Sequence, residues 1–358
     1  MRDSREPDVK ERLTPRERVL FTLRRLPVDR TPGDIWCTPE VMASLLHHFG
    51  TNDAFAVYDA LGVDKLLWVE APWKKQPRVE GGVTFTPWGN GFRPVGNRAG
   101  SYEETVFYPL QGVEDPKRAA EHEWPSPDDF DYEALRESCR RGARWVRMLS
   151  FISLFEIYCK LKPMNEALMD LLVNPDLAHV IFDRVFRFMK AYIERSAKAC
   201  GDLLDIVGLS DDMGMQDRPL VSMEVWAEYF RDPYRELFDL THSLGLHAFY
   251  HSDGAAYEAL EAVTRLGADI INPIQYTCPG MQRERLKRTL GHRVVFHGAV
   301  ENQRVIPFGT PGDVAREVRE DIRILGAGGG YICAPCHNIQ AGTPLENILA
   351  LYRTVREG

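Results

Sequence analysis

The stretch "YICAPCHNIQAGTPLENI", Tyr331 to Ile348, ends an apolar run in Cys333, Cys336 and His337 and then starts a helix. A Cys-x-x-Cys pair can be a redox pair or half of a zinc site. A structural zinc site needs a second such pair, and the sequence has none. A thioredoxin-like pair opens a helix near the start of its domain, whereas this one closes the last apolar run. Cys333 lies inside the run and reads as core. Cys336 and His337 lie past it, with Pro335 marking where strand pairing stops.

Other stretches carry reactive groups at similar places. "YHSDG" sets His251 and Asp253 two residues apart, on one side of an extended chain. Such a pair can ligate a metal, or act as a base with its orienting partner. Asp253 equally suits the N-cap of a helix beginning at Ala255. Cys336 and His337 with His251 offer sulfur and nitrogen ligands suited to zinc, and three protein ligands with a fourth position open are the arrangement of catalytic rather than structural zinc. "LSDDMGMQ" adds Asp211 and Asp212, neighbours of which only one is expected to face a shared mouth. "FHGAVENQ" adds His297 and Glu301, with Gly298 able to bring backbone close to a ligand. The expected catalytic residues are Glu70, Asp211, Asp212, His297 and His337. The expected substrate contacts are Trp36, Tyr158, Gln216, Asn272, Gln275 and Glu301.

These groups need elements that hold them at one end of a fold. Eight apolar runs of strand length precede them: "GDIWC", "DKLLWVEA", "RWVRMLSFI", "LLDIVGLSDD", "LHAFYHSDG", "ADIINPIQ", "RVVFHGAV" and "GYICAPCH". Amphipathic stretches such as "AAYEALEAVTRLG" and "TPGDVAREVREDIRILG" lie between the later runs. Alternating strand and helix predicts a parallel sheet with crossovers. Eight units predict an α/β (β/α)8 barrel of TIM type, with its site at the C-terminal strand ends. An open doubly wound sheet is disfavoured, because no GxGxxG follows the first strand. Thr14, Pro15 and Glu17 predict a capped helix start. Residues 76–128, rich in Gly, Pro, Thr and aromatics, predict an antiparallel insertion after the second strand. The whole of 1–358 reads as one domain.

Composition narrows the partners. The chain has 358 residues and a net charge of −8, with no basic stripe of the kind that binds nucleic acid. Seven scattered cysteines form no disulfide framework and suit a reducing cytoplasm. Neither a signal-peptide core nor a membrane-length apolar window occurs, so a cytoplasmic location is expected.

The stretches "HSDGAAYEALEAVTRLGADIINPIQ", "RVVFHGAVENQRVIPFGTPGDVAREVRE" and "GGGYICAPCHNIQAGTPLENILALYRTVRE" resemble the uroporphyrinogen decarboxylase superfamily, with a weaker likeness reaching the N-terminus. The resemblance implies a distorted (β/α)8 barrel. It also implies one of two chemistries: cofactor-free decarboxylation of porphyrinogen acetates, or zinc-assisted methyl transfer to or from a corrinoid protein or small thiol. The decarboxylase's Arg-Gln-Ala-Gly-Arg stretch is replaced by "GDIWCTPEV", and only Glu70 falls near its essential aspartate. His337 matches the histidine of its closing Gly-His-Gly. The zinc methyltransferases carry His-x-Cys and a further Cys. Here the pattern is His251-x-Asp253 and Cys336, with aspartate where that branch has a thiolate. The expected activity is methyl transfer from a small methylated substrate to a corrinoid protein or thiol. Zinc, a corrinoid-carrying partner and a homodimer are the expected associations. The alternatives are a decarboxylase-type lyase acting on a non-standard substrate, and a non-catalytic binding barrel.

Overall fold

The structure is a computed structural model and describes residues 12–97 and 100–358. Its strands are β1 (Leu66–Val69), β2 (Val79–Glu80), β3 (Val83–Phe85), β4 (Gly91–Asn97), β5 (Gly100–Phe107), β6 (Val146–Ser153), β7 (Ile206–Ser210), β8 (His247–His251), β9 (Ile270–Asn272), β10 (Val295–Val300) and β11 (Tyr331–Pro335). Seven of them form a parallel sheet in the order β1-β6-β7-β8-β9-β10-β11. The other four, β2 to β5, form a separate antiparallel sheet inside the region expected as an insertion.

The seven-stranded sheet curls in the manner of a TIM-type barrel, and one segment meets both its edges. Asp34 N donates to Cys333 O at 2.9 Å, and Cys333 N donates to Pro32 O at 2.8 Å. On the other side Asp64 N donates to Gly33 O at 2.6 Å. This corrects the expectation of eight ladder strands: "GDIWC" makes only isolated bridges, Gly33 to Cys333 and Cys37 to Ile339. The reason is chemical. Asp34 Oδ1 accepts the backbone N–H groups of Leu66 (3.1 Å) and Ile35 (2.8 Å), so a side chain replaces part of the ladder.

Side chains divide between two apolar layers. Trp36, Leu66, Val146, Met148, Ile206, Phe249, Ile270, Val295 and Ile332 pack inside the curl with Val19 of the helix Pro15–Leu23. The alternate residues pack outward against the helices, as period-two strands require. The helix Pro15–Leu23 starts at the expected Thr14–Glu17 capping box. Arg16 and Arg18 on it reach Asp205 and Asp64, and Arg25 just beyond it reaches Val294 O, each just before a strand. It therefore covers the N-terminal end of the sheet and leaves the C-terminal end as the mouth. No helix of the described residues is long and apolar enough to cross a membrane.

Candidate functional site

Three side chains at the mouth form the centre of the site. His251 ends β8, Asp253 lies two residues on, and Asp212 follows β7. Their ligand atoms lie within 4.8 Å of one another. His251 Nε2 is 3.7 Å from Asp212 Oδ1 and 3.9 Å from Asp253 Oδ1. His337, half exposed beyond β11, brings Nε2 to 4.0 Å from Asp253 Oδ2. The other metal ligand expected from the sequence, Cys336, is not in this group. Its thiol is 3 % exposed and donates to Ile274 O at 3.3 Å. Burial pushes that thiol well above the ordinary cysteine range. Asp212, and not the Cys336 thiol, lies with His251 and Asp253 in this group.

The two acids are held by a seam between the loops after β7 and β8. Asp253 N donates to Asp212 Oδ1 (2.8 Å), Met213 N to Ser252 Oγ (2.9 Å), and Ala255 N to Met215 O (2.7 Å). The loops touch at two glycines. A Cβ on Gly254, which has φ +80°, would sit 2.5 Å from Gly214 O and Met215 O. Gln275 closes the seam, accepting from Gly254 N at 2.5 Å and donating to Asp253 Oδ1 at 3.4 Å.

Below the cluster a polar line enters the barrel. His251 Nδ1 meets Asn272 Oδ1 at 2.6 Å, and Asn272 Nδ2 meets His297 Nδ1 at 2.8 Å. His297 Nε2 meets Asp34 Oδ2 at 3.0 Å. Asp34 also accepts from Lys65 Nζ (3.0 Å) and the Trp36 indole N–H (2.8 Å). Burial works against ionisation of Asp34, but the Lys65 ammonium and the His297 bond hold it down to about 2. Burial lowers the His297 imidazole below its ordinary value, against the pull of Asp34. Gly298 was expected to admit a ligand. Instead a Cβ there would lie 3.2 Å from Asn272 Nδ2, so the glycine makes room for this amide.

One wall of the mouth is aromatic. Trp36 lies 4.9 Å from Trp68 and 5.9 Å from Phe151, and Phe151 lies 5.4 Å from His251, between ring centres. Trp68 is 40 % exposed. Trp36 and Trp68 also border a cleft of about 310 Å³ with Met42, Tyr58 and Asn338.

Several expected residues are engaged elsewhere. The buried Asp211 carboxyl group accepts from the N–H groups of Leu154, Phe155 and Glu156 and from the Tyr234 hydroxyl, pinning the helix Phe155–Leu161. Burial and nearby Glu156 push it up to about 8. Tyr158 is wholly buried in the helical layer, its hydroxyl on Asp170 at 2.9 Å. Glu301 accepts from Gln303, Arg304 and Val305 N–H groups at 2.8–2.9 Å and so caps the helix Val305–Phe308. Gln216 and Gln275 border a small polar pocket with Cys336. Glu70 is exposed just past β1. Residues unassigned from the sequence but built into the site are Asp34, Lys65, Trp68, Phe151 and Ser252. The signal for the first two was a charge inside an apolar run.

The donor types fit a divalent cation: two carboxylates and one imidazole. Ligands about 2.1 Å from a tetrahedral zinc lie about 3.4 Å apart. The observed 3.7 and 3.9 Å are within a few tenths of an ångström of that spacing. The set is harder than one containing thiolate.

Curated uroporphyrinogen decarboxylases of Coxiella burnetii, strains Dugway 5J108-111 and RSA 493 / Nine Mile phase I, are 24% identical over 184 residues, 51% of this chain and 48% of theirs. The chain therefore spans about half the length of the curated relatives it matches. A solved methyltransferase from Methanosarcina mazei shares the fold, with TM-score 0.68 at 17% identity over 96% of this chain and 99% of that one. The family model for uroporphyrinogen decarboxylase (URO-D) matches residues 154–358, from β7 and its preceding helices through the last helix. With more than half of its length so matched, the chain belongs to the uroporphyrinogen decarboxylase family.

Proposed function

We propose that this protein is a metal-assisted methyltransferase, moving a methyl group from a small methylated substrate to a corrinoid protein or a thiol. The observation that carries the reading is the Asp212–His251–Asp253 cluster, a compact set of three cation ligands at the mouth. These residues would hold zinc or a similar divalent ion. When bound, that ion supplies Lewis acidity to the oxygen, sulfur or nitrogen that loses the methyl group.

The chain's own residues supply the rest. The methyl group leaves without its bonding electron pair, which stays on the leaving atom. His337, beside Asp253, is placed to give that atom a proton. Trp36, Trp68 and Phe151 offer an apolar wall to the methyl-bearing group and exclude water from it. Glu70, exposed just past β1, and Gln216, on the small pocket beside Cys336, would meet a larger substrate. A corrinoid protein would dock over this mouth, above the strand ends. The fold shared with a methyltransferase supports the same reading.

The alternative is a cofactor-free decarboxylase or related lyase. It is favoured by the identity to the Coxiella enzymes. Against it, a polycarboxylate needs cations at the mouth. The cleft beside Trp36 and Trp68 has Lys65, which is already paired with Asp34 at 3.0 Å, and Asp212, Asp253 and Glu70 add negative charge.

The test is elemental analysis of the purified protein, followed by assay with reduced corrinoid and a panel of O-, S- and N-methyl donors. About one divalent ion per chain, with methylcorrinoid formed by wild type but not by His251→Ala, supports the proposal. A metal-free protein that releases carbon dioxide from a carboxylated substrate sinks it.

A further inference from the structure

The direction of every hydrogen bond below the cluster follows from one backbone carbonyl. Asn272 Nδ2 lies 3.2 Å from His297 O. A carbonyl only accepts, so this amide atom must be the NH2 group. The same NH2 lies 2.8 Å from His297 Nδ1, which therefore carries no proton. His297 holds its proton on Nε2 and donates it to Asp34. Asp34, already accepting from Lys65 and Trp36, closes the line as an acceptor. At the other end the amide oxygen lies 2.6 Å from His251 Nδ1, so that nitrogen carries a proton. The lone pair of neutral His251 is then on Nε2, the atom that faces Asp212 and Asp253.

The free histidine side chain favours the other arrangement, with its proton on Nε2. The two imidazoles of the line are therefore set in opposite tautomers by one amide. Asn272, His297 and Asp34 are wholly buried, and Lys65 nearly so. A buried ion pair such as Lys65–Asp34 is a weak source of stability, because desolvation offsets much of the attraction. What the line does provide is orientation, as groups behind metal-bound histidines commonly do.

We propose that Asn272 and His297 are positioning residues that hold His251 in its Nδ1-protonated form and so present Nε2 to Asp212 and Asp253 as a cation ligand. This rests on the reading of that cluster as a cation site. Long-range 1H–15N correlation on protein with 15N-labelled histidine, at alkaline pH, reads the tautomers directly. Wild type is expected to show His251 protonated on Nδ1 and His297 on Nε2. In Asn272→Leu, His251 should revert to the Nε2 proton, and Co2+ affinity by absorbance titration should fall about tenfold or more. Asn272→Asp keeps an oxygen acceptor for His251 Nδ1–H. It should retain the His251 tautomer and lose less Co2+ affinity than Asn272→Leu, although it gives up the amide donor to His297. A purely structural role for Asn272 would lower stability in both variants and leave the His251 tautomer unchanged. Wild-type His251 protonated on Nε2 would overturn the proposal, as would an Asn272→Leu protein that keeps both tautomer and affinity. If Asn272→Leu does not fold, the wild-type tautomers decide. Wild type that binds no Co2+ refutes the cation site, while its tautomers still decide whether the line positions His251.

Discussion

The backbone N–H of Asp253 donates to the Asp212 carboxylate at 2.8 Å, so the loop that carries one acid fixes the other. The pair is thereby joined before any ligand arrives. Separating the two loops should cost the cluster its shape without touching any of its three side chains.

Gly254→Ala tests that link. The residue has φ +80°, and the added Cβ would lie 2.5 Å from two carbonyl oxygens of the facing loop. We expect a loss of about 1–3 kcal/mol in stability and at least a tenfold loss in Co2+ affinity. Urea denaturation and absorbance titration measure the two. Unchanged affinity would mean that the seam does not set the cluster.

Asp211 and Asp212 are neighbours with separate surroundings, and substitution should part them. Asp212→Asn should weaken cation binding by about tenfold or more while leaving thermal stability near wild type. Asp211→Ala leaves the Tyr234 hydroxyl and three helix N–H groups without their carboxyl partner. It should lower stability by about 2–4 kcal/mol. Metal content by mass spectrometry and urea midpoints would show the reverse pattern if the assignments were exchanged.

The two cysteines of the last strand give a further contrast. Cys333 is in the outer core and Cys336 donates to a carbonyl beside a small pocket. Either one changed to Ala should cost about 1 kcal/mol, and neither should remove bound metal. Loss of metal in Cys336→Ala alone would restore the thiol to the ligand set.

His297 makes stability depend on pH. Its folded-state value lies below the ordinary 6.5, because burial disfavours the imidazolium. The unfolded chain then binds this proton more readily than the folded one. The contribution is fully present above about 6.5 and is lost as pH falls toward the depressed folded value. Each pH unit in that window changes stability by up to about 1.4 kcal/mol from this group. Denaturant unfolding at pH 5 to 8 should show the fall, and His297→Gln should flatten it.

What could be read from the sequence depended on period and position. Strand ends with reactive groups stood out, because an apolar run closing in His251 or His337 has few structural uses. The capping box at Thr14 and Glu17 was legible for the same reason: its signal is local. The partners inside the barrel were not. Asp34 and Lys65 sit in runs that read as strands, and their role is visible only when the curl brings them together with His297. That Asp212 rather than Cys336 lies beside His251 and Asp253 has the same origin. Which side of a strand end faces the mouth depends on local twist and loop pairing, and no spacing rule contains these. Tyr158 and Glu301 carry polar groups near strand ends, yet helix caps and buried acids use them first.

The segment Gly33–Cys37 has a consequence for dissecting the molecule. The family match begins at residue 154, after β1, β6 and this segment. A fragment cut at that boundary would carry β7 to β11 with both outermost strands bare. Rows of unpaired N–H and C=O groups invite pairing with another chain. Such a fragment should self-associate rather than stand alone, so the part that carries the family likeness is smaller than the part that can fold.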